Sequence, residues 1–217
     1  MLVPVWLALG TGGNGHHPSV NATIYSDDRG ATWRRGEIVM LSTAQFPDPN
    51  ETSAVELEDG SVMLNVRTEA SENLRTVVTS KDGATHWSAP RLAEDLPDPI
   101  CFASMARLSF KGDTGKKDSG RGRILFVNPD SVLRADGKDS RSKDRVNLTV
   151  RLSYDEGRHW TVKRTVEPGA TGYADLAVMP DGTILCLYEA VSARHDEMLG
   201  RFNLEWLTEG KDSLKGK

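Results

Sequence analysis

Three short segments share one pattern: a serine, an aspartate two residues on, and a tryptophan always seven residues after the serine. They are Ser26 to Trp33 (SDDRGATW), Ser80 to Trp87 (SKDGATHW) and Ser153 to Trp160 (SYDEGRHW). The chemistry is that of a hairpin turn. Aspartate accepts from backbone N–H groups, glycine takes a positive φ, and tryptophan packs between neighbouring units. The middle copy departs from the others, with Ala84 at the glycine position. Each box follows a strand-like run: Asn21 to Tyr25, Arg75 to Thr79 and Val146 to Leu152. The last alternates Val146, Leu148, Val150 and Leu152 on one face, the period of a half-buried strand.

A longer repeat overlaps the first. AVELEDGSVMLNVR (Ala54 to Arg67) matches DLAVMPDGTILCLYE (Asp175 to Glu189) as strand, Asp-Gly turn, strand, at an offset of 122 residues. Chained together, the pieces give strand A, turn, strand B, loop, strand C, box turn, strand D, which is a four-stranded propeller blade. The boxes are spaced by 54 and then 73 residues. A six-bladed ring at the tighter spacing needs roughly 320 residues, so 217 residues hold under four complete blades. The fold expected is an all-β, six-bladed β-propeller with about four blades present and the N-terminal blades missing. It is expected to occupy residues 1–207, with 208–217 a polar, frayed tail. Polar stretches Lys111 to Arg121 and Arg134 to Lys143 read as solvated loops around a strand from Arg123 to Asn128.

Composition narrows the partners. A formal charge of -4 and a pI near 5.8 argue against nucleic acid or an anionic membrane surface, because phosphate binding needs a basic face. No apolar run reaches a membrane span, and Met1 to Gly10 lacks the basic start and cleavage site of a signal peptide, so it reads as a strand. Cys101 and Cys186 lack metal-ligand spacing and are expected to be buried free thiols. Asn-X-Thr sequons at Asn21, Asn50 and Asn147 read as chance matches. The glycines of GTGGNGHHPS do not form a phosphate loop, since no Lys-Ser/Thr follows.

In an up-and-down blade, strand A starts, strand B ends and strand C starts on one rim, and the box turns lie on the other. Glu51 and Tyr173 open A strands at positions made equivalent by the offset, Arg67 ends a B strand, and Arg145 opens a C strand eight residues before Ser153. Topology therefore predicts that these four converge at one end of the axis, away from the boxes.

Here the chain resembles the bacterial-type exo-α-sialidases. Asn50-Glu51 followed by VELEDG and by Arg67 is similar to that family's Asn-Glu motif and second substrate arginine. Arg145 in DRVNLTVRLSYDEG matches its third arginine, Tyr173 in EPGATGYADL its tyrosine nucleophile, and GRFNLEWL its closing segment. The resemblance implies a sialidase-type propeller and retaining hydrolysis of terminal α-linked sialic acids on glycoconjugates. Tyr173 and Glu51 would be catalytic, Arg67 and Arg145 substrate-binding, and no cofactor or metal is implied. The residue types suit that chemistry. Sialic acid carries a carboxylate on its anomeric carbon, so a neutral phenol approaches without the repulsion a carboxylate nucleophile meets, an exception already recognised among glycosidases. Arginine forks bind the substrate carboxylate in bidentate fashion.

Other polar residues carry weaker expectations. Arg151 lies mid-strand and reads as structural, Glu189 ends a B strand on the active rim as an ordinary strand-end residue or as a partner to the site, and His16 and His17 face that rim as contacts to glycerol or aglycone or as ordinary loop residues. The family's first arginine, in an Arg-Ile-Pro motif, and its aspartate acid have no match here; Asp48 lies near Glu51 without the aspartate's motif. Two functions stay open: a truncated exo-sialidase, or a non-catalytic carbohydrate-binding or interaction propeller. Either way, unclosed propeller edges point to self-association.

Overall fold

The computed structural model describes residues 1–10, 15–113, 121–136, 143–191 and 196–214. The backbone divides into two compact units, one built on Met1–Ile100, the other on Cys101–Lys138 with Lys143–Lys217.

In the first unit, β1 (Leu2–Ala8), β2 (Ser19–Tyr25) and β3 (Arg34–Met40) form a three-stranded antiparallel sheet. β4 (Thr52–Glu56), β5 (Val62–Val66), β6 (Leu74–Ser80) and β7 (Arg91–Pro97) form a four-stranded meander. Val39 and Met40 of one sheet pack with Leu64, Val66 and Val78 of the other, and Phe46 closes the cluster. Polar pins supplement this core: Thr23 Oγ1 donates to Gly83 O (2.9 Å) and Glu37 N to Ala84 O (2.8 Å). The sheets approach so closely that a Cβ on Gly36 would stand 2.4 Å from Thr23 Oγ1 and 2.8 Å from Ala84 O, so only glycine fits.

The second unit is one six-stranded sheet system in the order β13-β12-β11-β10-β9-β8. Its strands are β8 (Ser104–Ser109), β9 (Arg123–Pro129), β10 (Val146–Ser153), β11 (Val162–Val178), β12 (Ile184–Ala190) and β13 (Asp196–Phe202), followed by the short helix α1 (Leu204–Leu207). β11 has 17 residues and serves two blades. Its first part pairs with β10 from Leu152↔Val162 to Val146↔Ala170, and its second with β12 from Thr171↔Ala190 to Val178↔Ile184. The two blades pack face to face, Leu125, Val127, Leu148, Val150 and Leu152 against Ala174, Leu176, Ile184, Cys186 and Tyr188.

Several expectations are corrected. Tyr173 does not open a strand; it lies inside β11, because Pro168 falls at a register shift where no ladder N–H is required. Val146 stays partly exposed beyond a bulge at Asn147 (φ 59°), whereas Leu148, Val150 and Leu152 are fully buried. Trp160 and Trp87 pack inward, but Trp33 is 41% exposed. The segment after Leu207 does not fray before Leu214. The Asp212 carboxylate accepts from Arg123 Nε (2.8 Å) and Nη2 (2.9 Å) and from the Tyr154 hydroxyl (2.8 Å), and Leu214 packs on the core. Of the two polar loops, residues 114–120 and 137–142 lie outside the described residues, as do 11–14 of the glycine-rich loop. Cys101 and Cys186 are buried thiols not joined in a disulfide, and burial, with the Asp175 charge, pushes the Cys186 thiol up to about 12. Asn21 and Asn50 are buried, leaving Asn147 the exposed sequon asparagine. Among the described residues no helix is long and apolar enough to cross a membrane.

Candidate active site

Within each unit, strand register puts the singled-out residues at the end away from the boxes. In the first unit Val66 pairs with Thr76 and Val62 with Ser80, so Arg67, just past β5, lies opposite the turn that begins at Ser80. Glu51 immediately precedes β4 at that same end, where Thr52 pairs with Val66. The backbone extends the ladder around this corner: Asn50 N donates to Arg67 O and Arg67 N to Glu51 O, each at 3.0 Å. The side chains then meet as an ion pair, Arg67 Nη1 donating to Glu51 Oε2. Both are mostly buried, with exposures of 14% and 18%, so the pair works in a lower dielectric than an exposed one. The Asn50 side chain holds the corner, Oδ1 accepting from Glu51 N (2.7 Å) and Nδ2 donating to Asp48 O (3.0 Å).

In the second unit Arg145 immediately precedes β10, and Thr171 N donates to Arg145 O at 2.9 Å. Tyr173 sits two residues further on, in the register shift between Thr171 and Ala174. A bulge interrupts the ladder at this point. Two groups flank the ring: the Arg145 guanidinium carbon 5.6 Å from its centroid, and Phe102 with centroids 5.5 Å apart. A guanidinium at that distance is within cation–π range, and it also attracts negative charge that builds on the phenol oxygen. The Tyr173 backbone N donates to Glu189 Oε2 at 2.8 Å. Glu189 stands 122 residues after Arg67, as Tyr173 does after Glu51. The same blade corner thus carries a Glu/Arg pair in one unit and a Tyr/Glu pair in the other.

Gly172 and Phe102 escape a reading of the sequence. A Cβ on Gly172 would stand 1.9 Å from Glu189 Oε2, so the missing side chain is what admits the carboxylate to the Tyr173 N–H. Arg151 is structural as expected: it is 2% exposed, donates to Asn128 Oδ1 (2.8 Å) and pairs with Asp130 (2.7 Å). His16 stacks on Trp6 with centroids 5.3 Å apart, and His17 lies between Asp48 and Glu69.

Comparison with known proteins bears on the family and the fold. The family model of the BNR repeat-like domain matches residues 5–186. The sialidase of Micromonospora viridifaciens is 37% identical over 186 residues, which is 85% of this chain and 25% of that protein. The sialidase of Bacteroides fragilis is 26% identical over 170 residues, 77% of this chain and 28% of that protein. The chain therefore spans about a quarter of the length of these relatives. Among solved structures, a Hadza microbial sialidase superposes with a TM-score of 0.65 at 24% identity, covering 87% of this chain and 33% of that one. The leech intramolecular trans-sialidase gives 0.66 at 21%, covering 87% and 28%. These likenesses identify the all-β architecture as that of the sialidase propeller. With box turns, blade sheets and a family match over most of its length, the chain belongs to the sialidase family with BNR repeats.

Proposed function

We propose that this chain carries the nucleophile side of a retaining exo-α-sialidase site acting on terminal α-linked sialic acids of glycoconjugates. The observation that carries the reading is Tyr173 at a bulge of β11, with Arg145 over its ring and Glu189 on its backbone. In the first step the Tyr173 oxygen bonds to the anomeric carbon while the bond to the leaving oxygen breaks. The phenol proton passes to Glu51, and the leaving oxygen takes a proton from a general acid. Water then attacks the sialosyl-tyrosine, with the proton movements reversed. Arg145 and Arg67 hold the substrate carboxylate, each charge-assisted hydrogen bond contributing about 1.5–3 kcal/mol.

No residue of the chain matches the general acid or the first arginine. General acid help is typically worth about a hundred- to ten-thousandfold. The chain by itself is therefore expected to hydrolyse a fluorogenic sialoside poorly or not at all, and a version extended by blades bearing Arg-Ile-Pro and the aspartate to hydrolyse it well. A fluorosugar inactivator of the sialosyl fluoride type tests the nucleophile in the extended version. Peptide mapping should find the adduct on Tyr173. An adduct elsewhere, or a crystal structure with the Tyr173 hydroxyl and Glu51 carboxylate out of hydrogen-bond reach, removes the assignment. Full activity of the 217-residue chain alone would place the acid within it.

A further inference from the structure

The corner that carries Glu51 and Arg67 holds a second cluster, which the proposed reaction does not use. His17 stands in the connection between β1 and β2, Asp48 in that between β3 and β4, and Glu69 two residues past Arg67. His17 Nδ1 lies 3.2 Å from Asp48 Oδ2, and Nε2 lies 3.8 Å from Glu69 Oε1. One donor atom from each of the three residues falls within 4.8 Å of the other two. Their main chains are tied to one another. Glu69 N donates to Pro47 O (2.9 Å), Asp48 N donates to Ser42 Oγ (3.0 Å), and Ser19 Oγ, two residues after His17, donates to Pro49 O (3.0 Å). The donors are brought together by the backbone before any ligand arrives, which lowers the ordering cost of binding.

The donor set discriminates among ions. Calcium and magnesium sites are built from oxygen, whereas an imidazole joined by two carboxylates suits zinc and its neighbours. The imidazole is 48% exposed, which leaves coordination positions open to water or another oxygen ligand. A divalent ion here would offset the carboxylates of Asp48 and Glu69, whose segments flank Asn50, Glu51 and Arg67 in the chain. We propose that His17, Asp48 and Glu69 bind a divalent transition-metal ion of the Zn²⁺ type beside the Glu51–Arg67 pair. No step of the sialidase reaction above involves this ion, so the two readings stand or fall separately.

The test is a titration of the chelator-treated full chain with Co²⁺, followed by its visible d–d absorption, and with Zn²⁺ by calorimetry. One equivalent should saturate both signals, and Zn²⁺ should displace Co²⁺. His17→Ala, Asp48→Asn and Glu69→Gln should each weaken binding tenfold or more, while His159→Ala, in a box turn, leaves it unchanged. Thermal unfolding of each variant without metal establishes that it is folded. The wild-type chain supplies a reading independent of variants: substoichiometric Co²⁺ should broaden the ring protons of His16 and His17 before those of His86 and His159. Absence of heat and absorption, affinity retained in His17→Ala, or broadening that starts at the other histidines overturns the proposal and leaves the cluster as an ion pair.

Discussion

Gly172 occupies a position where a single methyl group decides whether Tyr173 keeps its support. A Cβ there would fall 1.9 Å from Glu189 Oε2 and 3.1 Å from its Cδ. Gly172→Ala should therefore drive the carboxylate off Tyr173 N at a cost of about 1–3 kcal/mol, the usual range for overpacking, read as a lower Tm. In a catalytically complete version it should lower kcat more than it raises KM, since the tyrosine is misplaced while the arginines remain. Tyr173→Phe should lower turnover by roughly three orders of magnitude or more with sialic acid binding retained; wild-type turnover would refute the nucleophile. Arg145→Ala should weaken binding about ten- to a hundredfold through lost charge-assisted hydrogen bonds. Motif and spacing single out Glu51, Arg67, Arg145 and Tyr173 in the sequence, and strand register puts each at the end of its unit away from the box. Gly172 and Phe102 are not legible in this way. Their roles depend on the bulge at Tyr173, a backbone event that hydrophobic periodicity does not record.

The three box turns solve one problem in two ways. In the first, Asp28 accepts from Thr32 N and Oγ1 four residues on, with Arg29 (φ 60°) and Gly30 (φ 91°) left-handed. The third repeats this with His159 in place of threonine and with Glu156 and Gly157 left-handed. The second has Ala84 where glycine is wanted. There the turn shortens by one residue: Gly83 is left-handed, Thr85 binds Asp82 three residues on, and His86 (φ 53°) absorbs the surplus residue so that Trp87 stays in place. The sequence marked this copy as irregular without revealing the compensation. All three aspartates titrate low. The Thr32 hydroxyl and N–H, with Ser26, bring Asp28 down to about 2 from 3.8, and the Thr85 hydroxyl and N–H lower Asp82 further. Burial opposes the shift at Asp155, but the His159 N–H and ring outweigh it. A carboxyl lower in the folded than in the unfolded state contributes stability that is complete above its unfolded value and lost as pH falls through its folded one. Thermal stability should therefore hold down to about pH 4 and decline between about pH 4 and pH 2, and Asp28→Asn should flatten part of that decline. A Tm independent of pH across this window would exclude the turns as its source.

Across the whole chain, buried arginines share the interior with the apolar core. Arg75 and Arg123 are 0% exposed and Arg151 is 2% exposed. Arg75 and Arg151 repeat one device in successive blades: a C-strand arginine binds a B-strand asparagine, Asn65 at 2.6 Å and Asn128 at 2.8 Å, and an aspartate, Asp98 and Asp130. Arg75→Ala would leave Asp98 buried without its cation, at a cost of about 3–5 kcal/mol, seen as a lower denaturant midpoint. Sequence alone flagged only Arg151 as structural, because charge on a strand is not an apolar signal. β1 and β13 each end a sheet and carry exposed Trp6, Leu7, Met198 and Leu199. The proposed self-association through such edges predicts concentration-dependent sedimentation that Leu199→Lys suppresses. The 17 residues of β11 bear on how the second unit comes apart. One unbroken strand is the last of one blade and the first of the next, so neither blade can open alone without tearing a ladder that the other also owns. Amide protons from Val162 to Val178 should accordingly exchange with solvent as a single cooperative block, and the two blades should be gained or lost together in any circular permutation or shuffling of the fold.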